Sequence, residues 1–365
     1  MTTGVSTAIA PPAIPDFLLE ASAYTDPALL TTELYRIFRR TWLYVGDRQD
    51  LMQSQTVRVL DVAGTSILLT QTQDGQLYAF HNVCPHRAAQ FCAEPGLYHL
   101  KHLVCPYHAW TYDLKGKLVG TPQTEQFNAT FCREDYPLVP IRLEQWAGFV
   151  FVCLDEATPP LLEVLGSVPT LMAKYSTPDT QKLISKRYAV ACNWKVYHDN
   201  TLCDYHVAIA HRTTLNLVQG PVRFYEYAFD RYVNLLYTPT TSDWRSQNLV
   251  LESLDDYQRN GFLTFGIFPN LHLLALPNGV LAWLRIDPVT VNQCEVVLEL
   301  FGIPGISPAV EVLVEEFESF MQEDMAIAET VQKGYASGVY RRGPVNGLEA
   351  RIVHQQALIQ EYLKA

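Results

Sequence analysis

Two short segments of this chain repeat one chemical pattern, Cys84-Pro85-His86-Arg87 and Cys105-Pro106-Tyr107-His108. Each supplies one thiol and one imidazole, and eighteen residues (87–104) separate His86 from Cys105. Thiolates and imidazoles together select zinc or iron–sulfur chemistry, so the fold has to bring two loops to one metal centre. A structural zinc site needs the same four ligands. Zinc fingers group them as a Cys pair and then a His pair, whereas the order here is Cys-His-Cys-His. That order suits a [2Fe–2S] cluster held between two similar loops, with two Cys on one iron and two His on the other. Neutral imidazoles in place of two thiolates raise the reduction potential and make an intermediate electron store. His81, His99 and His102 have no matching spacing and read as surface or hydrogen-bonding residues; Cys92 reads as a buried free thiol.

The surroundings of these motifs favour strands. Between about 56 and 154, short alternating runs (TVRVLDV, TSILLTQT, QLYAFHNV, AGFVFVCL) are punctuated by Ala63-Gly64, Asp74-Gly75 and Lys115-Gly116-Lys117. This predicts a small antiparallel β domain. Before it, residues 1–30 read as an arm and 31–46 as a helix ending in an aromatic run. After Pro159-Pro160 the pattern is mixed: 188–216 reads as helical, 221–303 holds several strand-like runs, and 308–336 is the clearest helix in the chain. An antiparallel sheet flanked by helices, in the α+β class, fits this order better than alternating βαβ units.

Composition narrows the function. A chain of 365 residues that is 48% apolar and 18% charged can bury large cores, enough for two domains. A net charge of −11 without long basic runs argues against nucleic acid and anionic membranes. No run approaches the ~20 apolar residues of a membrane span. The N-terminus lacks the basic and apolar regions of a secretory signal. Eight scattered cysteines do not make a disulfide scaffold, so a cytoplasmic location is expected.

A second constellation runs from Asn193-Trp194-Lys195 through Asp199-Asn200 to Asp204-Tyr205-His206 and His211. A five-residue step turns an ideal helix by about 500°, so His206 and His211 face one point only if the helix bends or ends there. Non-heme iron that activates O2 commonly takes two His and one carboxylate. In the 308–336 helix, Phe317, Met321, Asp324, Ala328 and Val331 recur at the spacing of a buried stripe. Asp324 is thus placed where an unpaired carboxylate is expensive and a metal or ion pair must compensate it. Glu323, one step round, is expected in solvent.

With these residues in view, the chain resembles the catalytic α subunit of Rieske non-heme iron oxygenases. NVCPHR, CPYHAWTYDLKGKLVG, NWKVYHDN with YHVAIAH, and QEDMAIAETVQKG carry the resemblance. The tail segment QEDMAIAETVQKGYASGVYRRG is similar to the choline, glycine betaine and carnitine oxygenase branch. The resemblance implies an all-β Rieske [2Fe–2S] domain (41–156) set into a helix-grip catalytic domain with an antiparallel sheet (157–365, joined by an arm and helix at 1–40). It implies a cluster on Cys84, His86, Cys105 and His108, iron on His206, His211 and Asp324, and Asn200 close to the metal. It further implies electrons from NAD(P)H through a separate flavin or iron–sulfur reductase, a small-molecule substrate that is hydroxylated or oxidatively dealkylated, and a homotrimer with electron transfer across subunits.

This chain departs from the family where an acid usually stands three residues before the first iron-ligand His. Cys203 occupies that position, and Asp204 follows it. Asp204, through a local helix distortion, is the expected inter-subunit bridge to His86 or His108. Two positions that are usually glycine are Ala88 and Ala109, which need only modest backbone room. Two other readings remain at this level: a Rieske electron-transfer or sensor protein with an inactive second site, and a zinc-stabilised binding protein. Tyr197, Phe262, Phe265, Phe268 and Trp283 are aromatics able to cage a quaternary ammonium, though as a group they read as core.

Overall fold

The computed structural model describes residues 9–364 except 52, 54, 176 and 178, so the first eight residues of the expected arm lie outside the described residues. The chain divides into two compact units, one of residues 38–161 and one of 1–37 with 162–365.

The 38–161 unit is all β apart from short helical turns. Its strands are β1 (Leu43–Asp47), β2 (Thr56–Val62), β3 (Thr65–Gln71), β4 (Leu77–His81), β5 (Gly96–His99), β6 (Leu103–Val104), β7 (Thr111–Tyr112), β8 (Leu118–Gly120), β9 (Pro140–Trp146) and β10 (Phe149–Cys153). Seven form an antiparallel sheet in the order β1-β10-β9-β4-β3-β2-β5, and β6-β7-β8 form a second, small sheet. The run at 43–46, read from sequence as the end of a helix, is strand β1; the helix stops at Arg36. β-branched and aromatic side chains favour a pleated, half-buried surface.

The two Cys-His segments fold as matching loops. Ala88 N–H donates to Cys84 O at 2.9 Å, and Ala109 N–H to Cys105 O at 2.9 Å. Cys84 N–H reaches Ala89 O at 2.8 Å, and Cys105 N–H reaches Trp110 O at 2.9 Å. Each loop closes on an alanine in the left-handed region, with φ +59° at Ala88 and +55° at Ala109. This corrects the expectation that only room mattered at these positions: the requirement is backbone handedness. A Cβ there costs about 1–2 kcal/mol, while glycine costs about 0.5–1 kcal/mol in chain entropy. Ala88→Gly and Ala109→Gly are therefore expected to stabilise the loops slightly. The check is the urea concentration at which cluster absorbance is lost, which should rise in each variant.

The other unit is built on an antiparallel sheet in the order β11-β17-β16-β15-β14-β13-β12. Its strands are β11 (Gln181–Val190), β12 (Glu226–Phe229), β13 (Val233–Pro239), β14 (Gly261–Ile267), β15 (Leu271–Ala275), β16 (Leu281–Thr290) and β17 (Gln293–Gly302). Five helices matter here: α1 (Pro27–Arg36), α2 (Trp194–Leu202), α3 (Val207–Ala210), α4 (Val310–Tyr335) and α5 (Ala350–Lys364). The region read as continuous helix over 188–216 is thus the end of β11, then α2, a break, and α3. α2 packs against α4, β16 and β17. Its start is fixed by the Asn193 side chain, which accepts from Lys195 N at 3.1 Å. Lys195 is itself buried, with Nζ 2.7 Å from Glu33 of α1, and Trp194 Nε1 donates to the same carboxylate at 2.9 Å. The buried stripe of α4 holds Leu313, Phe317, Met321, Asp324, Ala328 and Gln332. Val331, expected on this stripe, is exposed, and Gln332 takes its place by accepting from Asn193 N at 2.9 Å.

Candidate metal centres

In the all-β unit, Cys84 and Cys105 are 1% and 2% exposed, set in a core that includes Leu68, Phe80, Trp110, Tyr112 and Leu118. His86 and His108 are half-buried, with ring centroids 4.5 Å apart. His86 stacks on Trp110 at 4.6 Å and 5° between planes. The Nδ1 atoms of His86 and His108 are both buried without a hydrogen-bond partner. Two buried thiols and two orphaned ring nitrogens are the donor set that a two-Cys, two-His cluster requires. The residues therefore fit the group. Tyr112, which sequence reasoning passed over, is fully buried beside Cys84, whose charge and that of Cys105 help burial push the phenol up. His81 is half-buried, His99 and His102 are exposed, and Cys92 is buried in the core.

In the other unit, α2 ends at Leu202 and the chain re-enters a helix only at Val207, so His206 precedes the short α3 and His211 follows it. That break is what lets two histidines five apart converge. His206 Nε2 lies 3.1 Å from His211 Nε2 and 3.3 Å from Asp324 Oδ1, and His211 Nε2 lies 3.1 Å from the same oxygen. Adjacent ligands of an octahedral ion with bonds of about 2.1 Å are about 3.0 Å apart, so the three atoms match one face of such an ion. Asp324 is 6% exposed, and Asn200 Nδ2 donates to its Oδ1 at 2.6 Å. Burial works to raise the Asp324 carboxyl, but bonds to His206, His211 and Asn200 outweigh it and hold the group below its ordinary range.

Glu323 corrects an expectation. It does not stand free in solvent: its Oε2 accepts from His211 Nδ1 at 2.7 Å and from Thr214 Oγ1 at 2.7 Å. A carboxylate only accepts, so Nδ1 carries the ring proton and Nε2 presents its lone pair to the triad. His211 follows α3 and meets α4 from the side, where a long Glu side chain one step off the stripe reaches it. Removing such a partner typically weakens metal affinity about 10–100-fold. Glu323→Ala is expected to do so in a chelator competition while the cluster spectrum is unchanged; unaltered iron affinity would show that His211 needs no orienting partner.

Asp204 corrects another. It was expected to bridge to a neighbouring subunit, yet it is 3% exposed and points inward, with Oδ1 3.2 Å from Arg351 Nη1 on α5. Arg351 is fully buried and also donates to Asn234 Oδ1 at 2.8 Å. Burial holds the Asp204 carboxyl up at about 6 against the pull of Arg351. With the helix ended at Leu202, the residue after Cys203 turns into the core, where it neutralises a buried guanidinium. His206 Nδ1 has no hydrogen-bond partner. The Cys203 thiol lies near enough to help Asp324 hold His206 up at about 10 against burial, without reaching Nδ1 in hydrogen-bonding geometry.

The triad opens on a cavity of about 90 Å³ bordered by Tyr197, Leu284, Phe320 and Met321. Leu215, Gln219, Thr264, Leu274 and Phe320 also border a larger cavity of about 250 Å³, whose other walls include Trp244 and Phe262. Phe265, Phe268 and Trp283 are core residues.

Two family profiles match the chain. The one described as ring hydroxylating alpha subunit (catalytic domain) covers residues 179–365, and the Rieske [2Fe-2S] domain covers 41–141. The carnitine monooxygenase oxygenase subunit of Escherichia coli is 30% identical over 340 residues, 88% of this chain and 85% of that one. Chloroplastic choline monooxygenase of Amaranthus tricolor is 28% identical over 345 residues, 91% of this chain and 74% of that one. Among solved structures, the quaternary ammonium Rieske monooxygenase CntA with L-carnitine has a TM-score of 0.77 at 24% identity, covering 95% of each chain. Naphthalene 1,2-dioxygenase from Rhodococcus sp. bound to indole has a TM-score of 0.74 at 19% identity, covering 95% of this chain and 94% of that one. At these identities the structural likeness speaks for the fold.

Proposed function

Because this chain belongs to the family of Rieske-type ring-hydroxylating oxygenase α subunits, we propose that Cys84, His86, Cys105 and His108 hold its [2Fe–2S] cluster and that His206, His211 and Asp324 hold its iron. The chain is a terminal oxygenase component, and a separate reductase supplies its electrons. The observation that carries the site assignment is the convergence of three ligand atoms from positions 206, 211 and 324 at the base of a cavity.

When bound, the cluster supplies single electrons and the iron supplies a place for O2 beside substrate. The net reaction, substrate C–H with O2, two electrons and two protons giving C–OH and water, needs a pocket that excludes bulk water and orients one carbon. Leu284, Phe320 and Met321 provide that apolar wall. Asn200 fixes Asp324, and Glu323 fixes His211. The substrate class that we favour is a small quaternary ammonium, as the carnitine and choline relatives use. The larger cavity supports it, with Trp244, Phe262 and Phe320 as aromatic faces and Glu316 as an acid on its wall. Hydroxylation next to nitrogen gives a carbinolamine that collapses to an aldehyde and an amine.

A cyclic homotrimer that passes electrons between subunits completes the reading, supported by the inter-subunit electron transfer described for a quaternary ammonium Rieske monooxygenase. Cys203, in place of the family's bridging acid, then stands on that path. Among the described residues no helix is long and apolar enough to cross a membrane, and a cytoplasmic location suits the free cysteines.

Iron analysis together with single turnover tests the reading. About three irons per chain, two in the cluster and one mononuclear, are expected. Chemically reduced protein exposed to O2 with choline, carnitine or glycine betaine should release an aldehyde and a tertiary amine. Two irons per chain would leave an electron-transfer protein, and a colourless zinc protein would remove the cluster.

A further inference from the structure

Cys192 and Cys294 belong to neither metal centre. Cys192 follows β11 and directly precedes Asn193, the cap of α2. Cys294 sits near the start of β17, opposite Val190 of β11. Their Sγ atoms are 3.8 Å apart, and both side chains are fully buried. At that distance the two sulfurs are in van der Waals contact, and a disulfide would draw them to about 2.05 Å.

Tyr197 of α2 links this pair to the iron pocket. It lines the cavity beside the triad. Its phenol is held well up, first by burial and then by Asp324, Cys294 and Cys192. One helix, α2, thus starts two residues after Cys192 and carries Tyr197 and Asn200 to the iron cavity. O2 that takes two electrons without meeting substrate ends as hydrogen peroxide, so the unit that holds the thiols also holds a source of oxidant.

We propose that Cys192 and Cys294 form a redox-modification site, a dithiol that hydrogen peroxide converts to an intramolecular disulfide. Cys192 sulfur attacks one peroxide oxygen, the O–O bond breaks, and Cys192 sulfenic acid and water result. Cys294 sulfur then attacks Cys192 sulfur and displaces hydroxide, which leaves as water with the Cys294 proton. The two thiols give two electrons and peroxide becomes two waters. Cys192 attacks first because it stands in the turn between β11 and α2, whereas Cys294 is held inside the sheet, paired with Val190 of β11 and Pro288 of β16. The disulfide ties the residue before the cap of α2, the helix of Tyr197 and Asn200, to β17. The internal source of peroxide rests on the function proposed above; the dithiol chemistry does not.

The test uses the intact, metal-loaded protein and added hydrogen peroxide, followed by alkylation under denaturing conditions, non-reducing digestion and mass spectrometry. The expected product is a peptide pair joined through Cys192 and Cys294, lighter by two hydrogens and abolished by dithiothreitol. Cys132, exposed on the other unit, serves as the internal marker that peroxide has acted, going to sulfinic acid. In Cys192→Ser the cross-link disappears and Cys294 stays alkylatable. Cys132 oxidised while Cys192 and Cys294 remain fully alkylatable overturns the proposal, as does a cross-link of either residue to a different cysteine. Because peroxide is supplied, neither result depends on turnover at the iron.

Discussion

Replacing Asp324 by alanine is expected to remove the mononuclear iron and leave the cluster spectrum as it was. Asp324 supplies the only carboxylate of the triad, and both its histidine partners lie within 3.3 Å of its Oδ1. Without it the remaining ligands are two neutral imidazoles, and Asn200 Nδ2 loses its acceptor. Glu323 does not substitute, because the next position on a helix is turned by about 100° and its carboxylate is engaged by His211 and Thr214. Iron should fall from about three to about two per chain, with substrate oxidation lost and the cluster still reducible. Full iron retention in Asp324→Ala would sink the assignment.

The second large effect is the complement of the first. Cys84→Ser or His108→Ala should each bleach the protein and abolish the low-average-g EPR signal of the reduced cluster. Each removes one of the four proposed ligands, and they come from opposite surroundings: Cys84 from the core, His108 from a half-buried position. Cys84→Ser also leaves a hydroxyl among Trp110, Leu118 and Phe80, so this variant should unfold its unit more easily than His108→Ala. Iron should fall to about one per chain in both, held at the other centre. A coloured His108→Ala protein with an unchanged spectrum would show that another residue completes the cluster.

The two variants together divide the metal content between the two units. Glu323→Ala tests an intermediate case, in which all three ligands remain and only the orientation of one ring is lost. A graded series, with no mononuclear iron in Asp324→Ala and weakened binding in Glu323→Ala, would separate ligation from positioning.

The two Cys-His motifs proposed to hold the cluster were legible in the sequence because each is local. Cys84 with His86 and Cys105 with His108 sit on single tight loops, so residue order alone brings thiol and imidazole together. Asp324 was legible because α4 is long and regular, and a carboxylate on its buried stripe has to be compensated. The alternating runs around the first motifs gave the β unit for the same reason: period-two burial is written in neighbouring residues.

Tertiary structure decided what periodicity could not reach. Once α2 ends at Leu202, no helical angle assigns a face to Cys203, Asp204 or His206. Asp204 turns to Arg351, 147 positions away, and the expected bridge becomes a buried ion pair. Glu323 reaches His211 across 112 positions, and Cys192 meets Cys294 across 102. The positive φ of Ala88 and Ala109 was equally hidden, since alanine carries no signal for a left-handed backbone. Local sequence fixes which chemical groups are present and which face of a regular element they share. Which distant group each one meets depends on how strands and helices pack, because a side chain at a helix end or a loop takes its direction from the buried partner that satisfies it.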